Sequence, residues 1–240
     1  MKTLEFSSPF QMDEAAADVL STVLVAKPSA VIALPTGRTP LGLYASLHTR
    51  QQRGLVDCRT ARYFNLDEFE GKGPEDEGSY AAFLARHVFG PLGVPTSHVR
   101  LLKGDAADLD AECRAYEAAI AAAGGLDMAI LGLGRNGHIA YNEPGDDWDL
   151  GTHRVALTGT TREAQGGIYA CAADVPTHGL TMGVSTLLSA RKLLLLVSGA
   201  GKETALRALL SGRPDPACPV TALVGHPDLT VMCDFPLFEP

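Results

Sequence analysis

Short apolar runs alternate along this chain with longer segments in which apolar residues recur at helical spacing. The runs lie at 30–34, 61–66, 126–131, 192–197 and 229–232, each of strand length. Between them, 13–26, 40–52, 79–88, 108–122 and 201–210 carry the apolar stripe of helices resting on a core. Strands alternating with helices predict right-handed βαβ crossovers and an α/β fold: a mostly parallel open sheet with helices on both faces, Rossmann-like. Thr39-Pro40 reads as an N-cap followed by Pro at the first helical position, and Gly124-Gly125 as a helix stop. No repeat, long linker or charge block divides the sequence, so 1–240 is read as one domain with an irregular stretch at 142–179.

Composition narrows the class. With 46% hydrophobic and 20% charged residues in 240, the chain has enough apolar content for a full core, which excludes intrinsic disorder. Its most apolar run, 193–197, is far shorter than the roughly 20 residues that cross a bilayer. The opening segment carries Glu5, Asp13, Glu14 and Asp18 in place of a basic region and apolar core, so no signal peptide is expected and the cytoplasm is the expected setting. A net charge of -8 without any Lys/Arg cluster argues against nucleic acid and for a small-molecule substrate. The five cysteines (58, 113, 171, 218, 233) form no C-x-x-C pair and read as reduced structural thiols. His48, His87, His98, His153, His178 and His226 lack paired ligand spacing, so no metal is expected.

In open sheets of this kind, ligands bind beyond the carboxyl ends of the strands, which directs attention to the loops there. In L-P-T-G-R-T-P (34–40), Gly37 allows a backbone that presents N–H groups, and Thr36 and Thr39 add hydroxyls beside Arg38 at a helix N-terminus. That suits a phosphate, although a plain strand-to-helix turn fits too; the spacing is neither a Walker loop nor G-x-G-x-x-G. Asp67 and Glu68 follow directly on an apolar strand, where a carboxylate in a dry cleft can act as a general base and where a solvated acidic turn is the alternative. A third loop contains Gly132, Gly134, Gly137, His138 and, five residues on, Glu143, the makings of a proton-transfer dyad in which the carboxylate orients the ring and favours the imidazolium. Lys202, after S-G-A-G, stands at another strand-to-helix turn and could neutralise a phosphate.

F-N-L-D-E-F (64–69) and G-H-I-A-Y-N-E-P (137–144), together with 34–40, 180–183 and 198–202, resemble the glucosamine-6-phosphate deaminase/isomerase family, galactosamine-6-phosphate members included, over nearly the whole chain. The resemblance implies a cofactor-free conversion of an amino-sugar 6-phosphate and water to the ketose 6-phosphate and ammonia by ring opening and enolisation. It implies that His138, supported by Asn136 and Glu143, moves the ring-opening proton, that Asp67 moves a proton between C2 and C1, and that Thr36, Gly37, Arg38, Thr39 and Lys202 hold the phosphate. A monomer or small homo-oligomer is expected. The sequence stops shortly after its last strand, at Pro240, without the long extension of hexameric relatives, so their regulation is not expected.

Three departures from the family pattern sharpen the expectations. Asn136 stands where many members have Asp, which should leave His138 with less cationic bias. Arg38 replaces a small residue, and the family's arginine near 166 is missing from A-Q-G-G (164–167), so Arg38 is expected to supply that charge, with Arg162 as the second choice. The rival within enzymes is a 6-phosphogluconolactonase-like hydrolase, which typically has Arg after Asp-Glu where this chain has Phe69, and S-L-F-P-like residues where it has Asn142-Glu143-Pro144. The other rival, a non-catalytic sugar-phosphate-binding domain, needs no combination of Asp67, His138 and Glu143.

Overall fold

Strand β2 (Val31–Leu34) and β9 (Leu193–Val197) are buried along their whole length, as a parallel strand covered on both faces must be. The computed structural model describes residues 1–164, 169 and 174–236. In chain order the elements are β1 (Lys2–Glu5), α1 (Pro9–Ala26), β2, α2 (Leu41–Gln52), β3 (Arg62–Asn65), β4 (Asp67–Phe69) and α3 (Tyr80–Leu84), which runs through a π turn (Ala85–Phe89) into α4 (Gly90–Leu92). Then come β5 (Val99–Arg100), α5 (Leu109–Ala122), β6 (Met128–Gly132), β7 (His153–Ala156), α6 (Gly159–Ala164), β8 (His178–Thr181), α7 (Val184–Leu188), β9, α8 (Glu203–Leu210) and β10 (Leu229–Cys233).

Seven strands form one sheet in the order β1-β10-β9-β6-β2-β3-β5, every pair parallel, as the alternating pattern predicts. Side-chain alternation divides the core in two. Val31, Ala33, Leu131, Leu195 and Val231 face α5, α7 and α8, packing with Tyr116, Ile120, Leu187 and Leu206. Their neighbours Ile32, Leu34, Ile130, Leu194 and Met232 face α1 and α2, packing with Leu20, Leu24, Leu43 and Leu47. From β2 the chain proceeds to β3 on one side, whereas from β6 the next strand of this sheet, β9, lies on the other. The crevice at the carboxyl ends of β2 and β6 is therefore the switch point at which such sheets take ligands.

Two expectations are corrected. The stretch read as irregular contains β7 and β8, which pair antiparallel with each other and with β4 in a second, three-stranded sheet. At the start of α2, Pro40 is the N-cap residue and Leu41 the first helical one, and no side chain of the turn caps the helix. The Asp13 carboxylate of α1 accepts the Leu43 N–H instead. Gly42 must be glycine for this contact, because a Cβ there would overlap the Asp13 carboxylate. The helix stop at Gly124 holds, with α5 ending at Ala122. Cys58, Cys113, Cys218 and Cys233 are free thiols, and Cys171 lies outside the described residues. Among the described residues no helix is long and apolar enough to cross a membrane.

Candidate active site

Asn65 builds the corner from which Asp67 projects. Its buried amide donates to the Asp67 carbonyl (2.7 Å) and accepts from the Leu102 N–H (2.9 Å), and the Tyr116 hydroxyl donates to the Asn65 carbonyl (2.7 Å). The chain thus leaves the large sheet at Asn65 and enters the small one at Asp67, which lies opposite Thr181.

Asp67 and Glu68 are both buried, so the solvated acidic turn is excluded. Strand alternation sends them in opposite directions. Glu68 accepts the N–H groups of Phe69 (2.9 Å), Tyr80 (2.9 Å) and Ala81 (2.8 Å), tying β4 to the start of α3. Burial raises its pKa to about 7 against the pull of those donors. Asp67 has no comparable support. Its Oδ1 is buried without a hydrogen-bond partner among the described residues, and burial followed by the charge of Glu68 raises its pKa to about 8.

Four buried tyrosines lie within electrostatic range of this carboxyl. The buried hydroxyls of Tyr44, Tyr80, Tyr116 and Tyr141 all feel the Asp67 charge, which adds to the upward push that burial gives their own ionisation. None of these hydroxyls is hydrogen-bonded to the Asp67 carboxyl: Tyr44 donates to the Pro35 carbonyl (2.6 Å), and Tyr141 donates to Tyr80 (2.7 Å), which also bonds Thr36. Tyr80 thereby links Tyr141 of the histidine loop to Thr36 of the 34–40 turn. Gly37 takes φ +89 in that turn, whose Arg38 side chain is exposed.

The histidine loop closes on itself. A Cβ on Gly134 would stand 2.3 Å from the His138 ring, so only glycine lets the imidazole lie across the turn. The Asn136 amide nitrogen donates to Glu143 Oε2 (2.8 Å), and because a carboxylate only accepts, that contact fixes which way the amide points. Asn136 Oδ1 then faces His138 Nδ1 (2.7 Å) and requires a proton there, leaving Nε2 as the free basic nitrogen of the neutral ring. Burial lowers the His138 pKa, Glu143 opposes the shift and Lys202 reinforces it. This agrees with the weaker cationic bias expected of a chain with Asn at 136: Asn136 separates the ring from Glu143, whose Oε2 is 3.9 Å from Nδ1, and desolvation outweighs that attraction and favours the neutral ring.

Lys202 is half-buried; its carbonyl accepts the Leu206 N–H (2.9 Å), but its ammonium makes no hydrogen bond or ion pair among the described residues. Burial lowers its pKa, Asp234 partly restores it, and Arg135 pushes it down again. Arg135, to which the sequence pattern assigned no role, is thus a second cation near Lys202; a Cβ on Gly201 would lie 3.7 Å from its side chain. Its signal was present in G-L-G-R-N-G-H, but its proximity to Lys202 is tertiary. The Arg162 guanidinium donates to the Val175 carbonyl (3.3 and 3.0 Å). Gln165, Gly166 and Gly167, where the family's arginine was sought, lie outside the described residues. Among the described residues no group of three or more His, Cys, Asp or Glu side chains is placed to hold a metal ion.

The fold and the site together define a class: an α/β protein carrying a dry carboxyl group, a neutral histidine and an unpaired lysine on the carboxyl-end loops of a parallel sheet. Within that class the chain belongs to the glucosamine-6-phosphate isomerase/6-phosphogluconolactonase family, which matches residues 10–231. It is 38% identical over 232 residues to a glucosamine-6-phosphate deaminase of Lysinibacillus sphaericus, covering 97% of this chain and 98% of that protein. A solved structure of a monomeric glucosamine-6-phosphate deaminase superposes with a TM-score of 0.95 at 37% identity over 97% of both chains. A 6-phosphogluconolactonase from Thermotoga maritima shares the fold with a TM-score of 0.75 at 21% identity, over 97% of this chain and 98% of that one.

Proposed function

We propose that this chain is an amino-sugar-6-phosphate deaminase/isomerase that converts glucosamine 6-phosphate, or its galactosamine epimer, and water to the ketose 6-phosphate and ammonia. The observation that carries the reading is the pair of proton-transfer stations with different supports: Asp67, buried and unpartnered at Oδ1, and His138, locked with Nε2 free. The full-length likeness to glucosamine-6-phosphate deaminases supports it, whereas the lactonases share the fold at lower identity.

In this mechanism His138 Nε2 takes the proton of the anomeric hydroxyl and returns it to the ring oxygen, opening the pyranose. Asp67, as carboxylate, removes the proton from C2 and delivers it to C1 through an enol-type intermediate; water then adds to C2 and ammonia leaves. The ammonium of the bound sugar would favour the ionised form of Asp67, whose pKa of about 8 matches a base working near neutrality. Lys202, Thr36, Gly37, Arg38 and Thr39 hold the phosphate, with Arg135 adding charge, and this remote binding positions the reacting carbons. The reading takes the enzyme as monomeric, in line with the solved relative, and cytoplasmic, because charged sugar phosphates are retained inside cells. It takes the chemistry as independent of any cofactor.

The test is an assay of the purified chain with glucosamine 6-phosphate, galactosamine 6-phosphate and 6-phosphogluconolactone. One mole of ammonia per mole of ketose 6-phosphate from an amino sugar is expected. Lactone hydrolysis without ammonia would overturn the reading.

A further inference from the structure

Beyond Asn136, a second connection runs from His138 to Glu143. Thr158, just before α6, and Thr161 within it bring two hydroxyls against the dyad. Glu143 Oε1 accepts the Thr158 N–H (3.2 Å) and the Thr158 hydroxyl (3.1 Å). That hydroxyl has one proton, and a carboxylate is the stronger claimant for it. The 3.2 Å contact between the two hydroxyls is then donated by Thr161, whose oxygen keeps a lone pair for His138 Nδ1, also 3.2 Å away. Thr161 is 1% exposed, so its hydroxyl has no bulk water to turn to.

We propose that Thr158 and Thr161 are positioning residues for His138, a hydroxyl relay that holds the Nδ1–H and passes the polarisation of Glu143 to the ring in parallel with Asn136. The proposal rests on the reading of His138 as the ring-opening base. The two routes form a closed ring: Nδ1 to the Asn136 carbonyl and from its amide to Oε2, and Nδ1 to Thr161, Thr158 and Oε1. An amide between histidine and carboxylate transmits charge weakly, because its proton stays on nitrogen. Hydroxyls reorient and polarise in sequence, so they strengthen as the ring becomes cationic. The charged groups acting on His138 are Glu143, which favours that cation, and Lys202, which opposes it. The relay is therefore of greatest use in a chain that carries Asn at 136.

Thr161→Val preserves shape and removes the hydroxyl. The expected result is a kcat about tenfold lower with KM within about twofold, Thr161→Ser restoring most of it, and Thr158→Val behaving like Thr161→Val. The imidazole nitrogens, followed by NMR against pH and assigned with His138→Gln, should show protonation of His138 moving to lower pH in Thr161→Val. Adding Asn136→Asp places a carboxylate directly on Nδ1 and should make the Thr161→Val effect at least threefold smaller. Unchanged kcat together with an unchanged His138 titration overturns the relay, as does a loss that Thr161→Ser fails to restore. Absence of ammonia from the wild-type chain would fail the functional reading alone, since the NMR titration still decides whether the threonines act on His138.

Discussion

The two ends of the parallel sheet each carry an aspartate and a lysine, and they treat them in opposite ways. At the amino end, Asp127 accepts from Lys27 Nζ (2.7 Å), Arg191 (3.2 Å) and the Val31 N–H (2.8 Å). Burial pushes its pKa up, but the Lys27 and Val31 hydrogen bonds and the two cations bring it below the ordinary aspartate value. At the carboxyl end, Asp67 has an unpartnered Oδ1, and Lys202 has no ion pair among the described residues. A paired carboxylate holds strands together; an unpaired one in a dry pocket keeps its proton available and lowers stability once ionised. The difference separates structural from chemical residues of the same type.

The largest expected effect comes from removing the unpaired group. Asp67→Asn should lower turnover by at least about 10³-fold in an ammonia-release assay, with substrate still bound by calorimetry. It should also stabilise the fold. Folded Asp67 keeps its proton up to about pH 8, whereas the unfolded carboxyl ionises near 3.8. Wild-type stability is therefore undiminished below the lower value and falls as pH rises toward the higher one. Denaturant melts should show the variant gaining on wild type from about pH 4 and levelling off above about pH 8. Equal stability at pH 8 would break the comparison.

Glu68→Gln should do the reverse, costing about 2–4 kcal/mol because an amide faces three N–H donors that now hold a carboxyl group. At the amino end, Asp127→Asn should cost about 1–2 kcal/mol at pH 7 and leave kcat alone. With a depressed folded pKa, the Asp127 contribution is present above the unfolded value and lost as pH falls through the folded one, so the variant and wild type converge in acid. The smallest stability effect belongs to the lysines. Lys27→Met should cost about 0.5–1 kcal/mol without touching KM, whereas Lys202→Met should raise KM about tenfold or more with little loss of stability. Arg38→Ala should raise KM severalfold, and an unchanged KM would leave Arg135 and Lys202 as the phosphate's cations.

Much of this was legible as pattern. The five apolar runs became β2, β3, β6, β9 and β10 because strands buried on both faces have a continuous apolar signature. Strand β1, with its exposed ends, and the polar β7 offered no such run, and only pairing with distant partners makes them strands. Asp67 and His138 stood out as residues. Which of Asp67 and Glu68 stays unpartnered was not legible, because it depends on a pleat and on N–H groups of Tyr80 and Ala81. Asn136 already pointed to a less cationic His138, but the burial that favours the neutral ring and the Thr158–Thr161 contacts were hidden: each forms only when the chain has closed.

The pairing of β1 with β10 also sets a timetable. Residues 2–5 find their partner strand only after 229–233 have been made, so a nascent chain leaving the ribosome carries its first strand unmatched throughout synthesis. The inner strands β2 and β3 can pair early, whereas the outer edge is sealed last. Because β1 and β10 run parallel, the end of β10 and the start of β1 lie at opposite ends of the sheet, so a link between these two strands would have to cross the sheet's face rather than turn back tightly.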